Sequence, residues 1–319
     1  MSGSNDHIGA QTKRYCTATI GEAVVRLREG GLVAVPTETV YGLAADSTNA
    51  AAVADIYRTK GRPDFNPLIV HVPDLAAAKK LGKFNDLAIR FAEALWPGPL
   101  TIVVPKSDNC PVSAAVTAGL DTIALRSPAH PVMRKLLTES DLSLAAPSAN
   151  RSGGISPTTA DHVALSLGER SPLILDGGAC ERGIESTIVA VGNGFYRILR
   201  PGPVTRIQLE EIAGEPPVID ETGTIEAPGQ LASHYAPSKP LRLNARTAEA
   251  DEYHIGFGLV QGDRNLSPSS DLAEAASYLF AALHAADASG RPKIAVAPIP
   301  ADHIGVALND RLLRAASPK

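Results

Sequence analysis

Polar and basic side chains recur just beyond the ends of short apolar runs. LVAVP leads into TETVYGL, which supplies Thr37, Glu38, Thr39 and Tyr41. IYRTKGRP carries Lys60 and Arg62 on either side of a glycine, just before LIVHV and its His71. TIALR ends in Arg126, LSLAAP is followed by Ser148, Asn150 and Ser152, STIVAV opens on Ser186, and FYRILRPG holds Arg200. A guanidinium is a planar fork suited to phosphate or carboxylate, and a lysine adds a mobile point charge. Hydroxyls and an amide add uncharged hydrogen bonds to a phosphate oxygen, a base or a carboxylate. Gathered in one cleft, these groups focus positive potential on a small anionic ligand, and a nucleotide fits that chemistry best. No G-x-x-x-x-G-K-[ST] occurs, so a nucleotide site here is not a P-loop. Ser148 and Ser186 lack a G-x-S-x-G frame, and His71 and His234 have no metal-ligand spacing. Neither a serine nucleophile nor a protein-built metal site is expected.

Each group also has a plainer reading. Lys60 and Arg62 fit a solvated helix end facing its own dipole. Arg126 fits a partner for a surface carboxylate, Glu38 a turn cap, and His71 and His130 hydrogen-bonded structural residues. Only their joint occurrence in one part of the chain points to a site.

The elements that must position them alternate in type. ATIGEAVVRLREGG, NAAAVADIYRTKG (capped by Thr48 or Asn49 and stopped by Gly61), NDLAIRFAEALW, TTADHVALSL and VTRIQLEEIA have helical periodicity. LVAVP, LIVHV, TIVVP, TIALR, LSLAAP, LILDG and STIVAV read as strands. The pattern predicts an α/β domain with a sizeable mixed sheet, because TIVVP and TIALR follow one another without a helix between. Ligands of such sheets bind beyond one set of strand ends. A stretch rich in Pro, Gly, Ser and Thr, GEPPVIDETGTIEAPGQLASHYAPSKP, then reads as a linker. Beyond it, YHIGFGLV, SDLAEAASYLFAALHAADA, PKIAVAPI and IGVALNDRLLRAA read strand, helix, strand, helix. GFGLVQG lacks the G-x-G-x-x-G spacing and reads as a turn. The division is a first domain at 12–210, a linker at 211–240 and a small α/β domain at 241–319. Charge changes with it: 21 basic and 20 acidic residues up to Glu210, then 9 and 14 from Glu211 onward.

Composition narrows the function classes. The 319 residues are 44% hydrophobic and 20% charged, as expected of a folded chain. A net charge of -4 and 4% aromatics disfavour a dedicated nucleic-acid binder or a stacking platform for single strands. Cys16, Cys110 and Cys180 are far apart and form no C-x-x-C, which fits a reducing cytoplasm better than a disulfide framework. Residues 1–16 have no apolar core of a signal peptide, and no run of 18 apolar residues suggests a membrane span.

The ordered motifs PTETVYGL, KGRP, WPGPLT, RSPAHP, PSAN followed by RSG, STI and RPG resemble the YrdC-like family. PGQLASHYAP resembles the linker of its long two-domain form, the threonylcarbamoyl-AMP synthases, although many relatives read closer to SPGM followed by a basic residue. The resemblance implies a twisted mixed-sheet catalytic domain and a smaller Rossmann-like C-terminal domain. It implies a reaction of L-threonine, bicarbonate (or CO2) and ATP that yields L-threonylcarbamoyladenylate and pyrophosphate. A separate transferase then uses the product to modify adenosine 37 of tRNA. Lys60, Arg62, Ser148, Asn150, Ser186 and Arg200 would serve the nucleotide; Thr37, Tyr41, His71 and Arg126 would line the threonine side. Tyr235 would act as a gate over the pocket. ATP is a substrate carrying Mg2+ on its phosphates, with no other cofactor, at most transient tRNA contact, and no membrane. The rival reading is a non-catalytic RNA-binding α/β module. A carbamoyltransferase of the hydrogenase-maturation type would bring cysteine pairs, which this chain lacks.

Overall fold

The computed structural model describes residues 17–218, 227–228 and 234–317. The expectations for residues 1–16, including Cys16, and for 219–226 and 229–233 of the linker lie outside the described residues. Strands β1 (Val33–Val35), β2 (Gly42–Asp46), β3 (Ile69–His71), β4 (Leu100–Pro105), β5 (Thr122–Arg126), β6 (Leu144–Ala145), β7 (Leu173–Ile174), β8 (Thr187–Gly192) and β9 (Phe195–Arg200) form one sheet. Their order is β7-β1-β2-β6-β3-β5-β4-β8-β9. β1–β7, β3–β5 and β4–β8 pair parallel and the other neighbours antiparallel, so the sheet is mixed.

Side chains alternate between the two faces of each strand. Ala34, Leu43, Val70, Ile102, Leu125 and Val189 join a core with helices α2 (Ala50–Lys60), α3 (Leu75–Leu81), α4 (Asp86–Leu95), α6 (Ala160–Leu167) and α7 (Arg206–Ala213). On the opposite face, Val33, Val35 and Ala44 pack under α1 (Ile20–Arg28) and α5 (Pro131–Ser140). Farther along that face, Ile69, Val103, Ala124, Ile188, Ala190 and Leu199 are joined by Ala227 of the linker instead of by a helix. The half of this face without a helix holds the site.

Local chemistry accounts for the helix ends. Asn49, not Thr48, caps α2, accepting from the Ala51 and Ala52 N–H groups at 3.1 Å. Gly61 closes it in the left-handed conformation (φ 61°), which glycine adopts without Cβ strain. β2, α3, α5 and β9 add elements the sequence periodicity did not reveal. α5 follows a His130 cap with Pro131 in its first turn, where the missing proline N–H would have had no helical partner. α7 runs to Ala213 and packs beside α4, so the helical structure of the first domain passes residue 210.

The C-terminal sheet is four-stranded and parallel: β10 (Leu241–Arg242), β13 (Lys293–Val296), β11 (Glu252–Gly256) and β12 (Arg264–Asn265), in that order. Helices α8 (Leu272–Ala288) and α9 (Gly305–Ala316) pack with it. GFGLVQG is a tight turn, with a bridge between Phe257 and Val260. The same core takes in Val40, Ile155, Ile184 and Tyr235. Contact is close at Gly183 (φ 68°), where a Cβ would lie 2.3 Å from the Ala276 carbonyl oxygen of α8. His162 of α6 stacks on His284 of α8 at 3.9 Å between ring centroids.

Candidate active site

The bare half of the sheet face carries a cavity that is partly open to solvent. It is lined among others by Thr37, Thr39, Arg62, His71, Arg126, Ser148, Glu185, Ser186, Arg200, Pro228, His234 and Tyr235. The wide separation of these residues in the chain is erased by strand order.

At one end stands a closed ion pair. The loop 36–41 between β1 and β2 folds on Thr37, whose Oγ1 donates to the Val40 carbonyl (2.7 Å) and accepts from the Val40 N–H (3.2 Å). This turn presents Glu38 to Arg126: Nη2 meets Oε1 at 2.6 Å, with both side chains almost fully buried. Arg126 also donates to Thr39 Oγ1 (2.9 Å) and the Gly98 carbonyl (3.2 Å). Glu38 Oε2 accepts from the Ala129 N–H at 3.1 Å. Burial pushes the Glu38 carboxyl up, but the Arg126 charge and hydrogen bonds outweigh it and hold the group below its ordinary range. His71 is the register partner of Arg126 on β3, so both point to the cavity face. Its buried Nδ1 has no hydrogen-bond partner among the described residues, and burial, followed by the Arg126 charge, pushes the imidazole down to about 3. It is a neutral group with a hydrogen-bonding position to spare.

At the other end stand Arg62 and Arg200, with Glu185 nearby but bonded to Arg311. Beyond Gly61 the chain turns back, with the Arg62 N–H on the Tyr57 carbonyl at 3.0 Å. The Arg62 guanidinium donates to the Asn66 (3.3 Å) and Pro67 (2.9 Å) carbonyls. Burial above all, against the pull of Tyr57 and Tyr235 and with Arg200 adding to it, lowers the group to about 10. Arg200 returns along the β8–β9 hairpin to Ser186, donating to its carbonyl (3.0 Å) and its Oγ (3.1 Å), and to the Pro228 carbonyl (3.4 Å). Ser186 Oγ also meets Thr101 Oγ1 at 2.8 Å. Among the described residues, neither Arg62 nor Arg200 has a carboxylate partner. His234 lies against this cluster, and burial, then Arg62, Lys60, Arg200 and Arg311, depress its pKa well below the ordinary value.

Comparison with known proteins is decisive here. The family model for Sua5, YciO and YrdC, described as telomere recombination, matches residues 25–202. A second, described as the C-terminal domain of threonylcarbamoyl-AMP synthase, matches 204–317. The chain belongs to the YrdC/Sua5 family. It has the long two-domain form of that family. The threonylcarbamoyl-AMP synthase of Bacillus subtilis is 37% identical over 93% of this chain and 92% of that protein. The Pyrococcus abyssi enzyme of the same name is 37% identical over 91% and 92%. The crystal structure of P. abyssi Sua5 complexed with L-threonine superposes with a TM-score of 0.85 at 35% identity, covering 93% of this chain and 94% of that one. Escherichia coli YciO shares the fold over 58% of this chain, at a TM-score of 0.51 and 20% identity.

Within this YrdC/Sua5 chain, Thr37, Arg62, His71, Arg126, Ser148, Ser186, Arg200 and Tyr235 of the sequence-derived set meet at the cavity. Lys60, Asn150 and Tyr41 do not line it. The Lys60 ammonium donates to the Ser148 and Asn150 carbonyls at 2.6 Å each, and its own carbonyl accepts from the Ser152 N–H at 2.9 Å. It therefore ties the PSAN turn to α2. Burial, then Arg62, press its pKa well below the usual lysine range. The Asn150 amide donates to the Arg151 and Gly154 carbonyls at 2.9 and 2.8 Å, holding the same turn. Tyr41 points into the sheet core, its hydroxyl donating to the Gly178 carbonyl at 2.8 Å and accepting from the Gly177 N–H at 3.1 Å. A tyrosine after a strand does not reveal from sequence which side of the loop it takes.

Tyr235 lines the cavity, and its buried hydroxyl has no hydrogen-bond partner among the described residues. Its backbone is left-handed (φ 63°), an uncommon and costly state for an aromatic residue. Packing maintains it: the ring lies 4.1 Å from His234 and 5.6 Å from Phe280, centroid to centroid. Sequence reasoning set His234 aside after the zinc test and passed over Glu185 and Arg311. The first two adjoin Tyr235 and Ser186, which was the available signal. Arg311 had none, since an arginine on an amphipathic helix reads as solvated. Among the described residues, no group of three or more His, Cys, Asp or Glu is disposed to hold a metal ion, and no helix is long and apolar enough to cross a membrane.

Proposed function

We propose that this chain is an L-threonylcarbamoyladenylate synthase that joins L-threonine, bicarbonate or CO2, and ATP, releasing pyrophosphate. The observation that carries the reading is the polarity of the cavity. One end offers two buried arginines, Arg62 and Arg200, that bond no carboxylate among the described residues, with Ser148 and Ser186 beside them. That end suits a polyphosphate. The other offers a charge-balanced Arg126, neutral His71 and the Thr37 and Thr39 hydroxyls, which suits a small zwitterion.

The neutral amine of threonine attacks CO2 with release of one proton to water, or bicarbonate with loss of water, to form a carbamate. A carbamate oxygen then attacks the α-phosphorus of ATP as the bond to pyrophosphate breaks. A carbamate is short-lived in water, so enclosure of the cavity by Tyr235 and Pro228 favours its survival. Charge builds on the phosphate oxygens in the displacement, and Arg62 and Arg200 are already held in place to meet it. No covalent intermediate with the protein is required. Arg126 and Thr37 orient the amino acid, Lys60 and Asn150 hold the turn that carries Ser148, and the Tyr235 hydroxyl donates one hydrogen bond across the pocket. The cavity carboxylate Glu185 and the nearby Glu38 are both bonded to arginines, which favours Mg2+ entering on ATP phosphates, where it neutralises charge. The product passes to a separate tRNA-modifying transferase acting at adenosine 37, which puts the reaction in the cytoplasm.

The test is pyrophosphate release by purified protein with ATP and bicarbonate, with L-threonine or no amino acid, and with L-serine and L-valine as controls. Release that requires both threonine and bicarbonate is expected. Release indifferent to threonine overturns the reading, and salt-sensitive tRNA affinity in its place would return the RNA-binding module.

A further inference from the structure

Arg311 lies on α9 of the C-terminal domain, yet its side chain is fully buried against the catalytic cavity. Its Nε donates to Glu185 Oε2 at 2.8 Å and its Nη2 to the Pro201 carbonyl at 2.9 Å. Nη1 meets Asp310 Oδ2 at 2.6 Å, and Cζ stands 5.2 Å from the centre of the Tyr235 ring. The partners form a pattern. Glu185 directly precedes Ser186, and Pro201 directly follows Arg200. Ser186 and Arg200 are themselves joined by two hydrogen bonds and both line the cavity. One guanidinium thus bonds the chain on both sides of the Ser186–Arg200 pair and backs the ring of Tyr235. The second Glu185 oxygen accepts from Ser156 Oγ, so the carboxylate is also anchored to the first domain.

We infer that Arg311 is a positioning residue for the polyphosphate end of the cavity: through this side chain the C-terminal domain supports the geometry of Arg200 and Ser186 and, together with Phe280, backs the ring of Tyr235. The inference rests on the cavity binding a nucleotide, as proposed above. A planar fork bonding Glu185, Asp310 and Pro201 at once has no equivalent in a lysine, which keeps the charge and loses the geometry. Ser186 and Arg200 then lose a common support, and small displacements of positioned groups are costly to catalysis.

The experiment compares wild type, Arg311→Lys, Arg200→Lys and their double variant. ATP affinity by calorimetry, steady-state pyrophosphate release and thermal melting are measured for each. Arg242→Gln is the structural control. It breaks the ion pair to buried Glu252 inside the C-terminal domain, away from the cavity. Arg311→Lys is expected to weaken ATP binding and lower kcat, each by on the order of tenfold. The double variant is expected to lose little beyond Arg200→Lys, because both act through one pair. Arg242→Gln is expected to lower the melting temperature with ATP affinity intact. An Arg311→Lys protein that melts lower but binds and turns over ATP like wild type overturns the inference. So does an Arg242→Gln protein that reproduces its losses. If wild type binds ATP without threonine-dependent release, the proposed reaction fails, and the positioning role is still decided by the affinities. If wild type does not bind ATP, both fall.

Discussion

At one end of the cavity Arg126 meets Glu38 at 2.6 Å and spends its remaining donors on Thr39 and Gly98. At the other, Arg62 and Arg200 are equally buried but are bonded to carbonyl oxygens and a serine. The first arrangement is complete without a ligand. In the second, no carboxylate among the described residues is bonded to either guanidinium, and Glu185, whose charge acts on Arg200, is itself bonded to Arg311, so an anion is favoured there. The two arginine clusters of one pocket thus differ in what they lack: the closed pair holds the β1–β2 loop in place, and the open pair is the one that the proposed function gives to phosphate.

The largest effect should come from breaking the closed pair. Glu38→Ala leaves Arg126 buried and unpaired and is expected to destabilise the fold by about 3–5 kcal/mol in denaturant unfolding. If that loss is below about 1 kcal/mol, the two ends do not differ as described. Next come Arg62→Ala and Arg200→Ala. Each should raise the barrier to adenylate formation by roughly 2–4 kcal/mol, while costing less stability than Glu38→Ala. Near-normal rates would remove them from the phosphate end.

A pH series sharpens the contrast. His71 is held neutral to about 3 in the folded chain, against an ordinary 6.5. Its contribution to stability is complete above the ordinary value and is lost as pH falls through that window, because the unfolded chain takes up the proton first. His71→Gln should therefore flatten the stability profile there by up to about 1.4 kcal/mol per pH unit. Glu38, lowered by Arg126, loses its contribution as pH falls below the ordinary carboxylate value. The smallest effect is expected for Tyr235→Phe. Its hydroxyl has no partner, so melting should be unchanged, while turnover drops by about 1 kcal/mol of barrier, the worth of one neutral hydrogen bond. Unchanged turnover would show that the ring alone closes the pocket.

Much of this is legible in the chain itself. The helix α2 with its Gly61 stop follows from periodicity and capping chemistry, and the mixed sheet follows from TIVVP and TIALR without a helix between. The basic and hydroxyl residues at strand ends were recognisable as ligand groups by type. Their roles divided on geometry. Lys60 and Arg62 are two residues apart, yet Gly61 turns them to different tasks: Lys60 under the PSAN turn, Arg62 into the cavity. Tyr41 went to the core for the same reason, since neighbouring residues of a loop point in different directions.

The sequence alone determined which residues were available and which local elements carry them, because capping, periodicity and side-chain chemistry act within a few residues. It determined the family through the order of its motifs. Only the tertiary structure decided which arginine meets a carboxylate and which does not, because Glu38 and Arg126, like Glu185 and Arg311, are brought together by strand order and domain packing across long stretches of chain. Charge compensation is set by distance in space and by burial, and neither quantity is written in the spacing of residues.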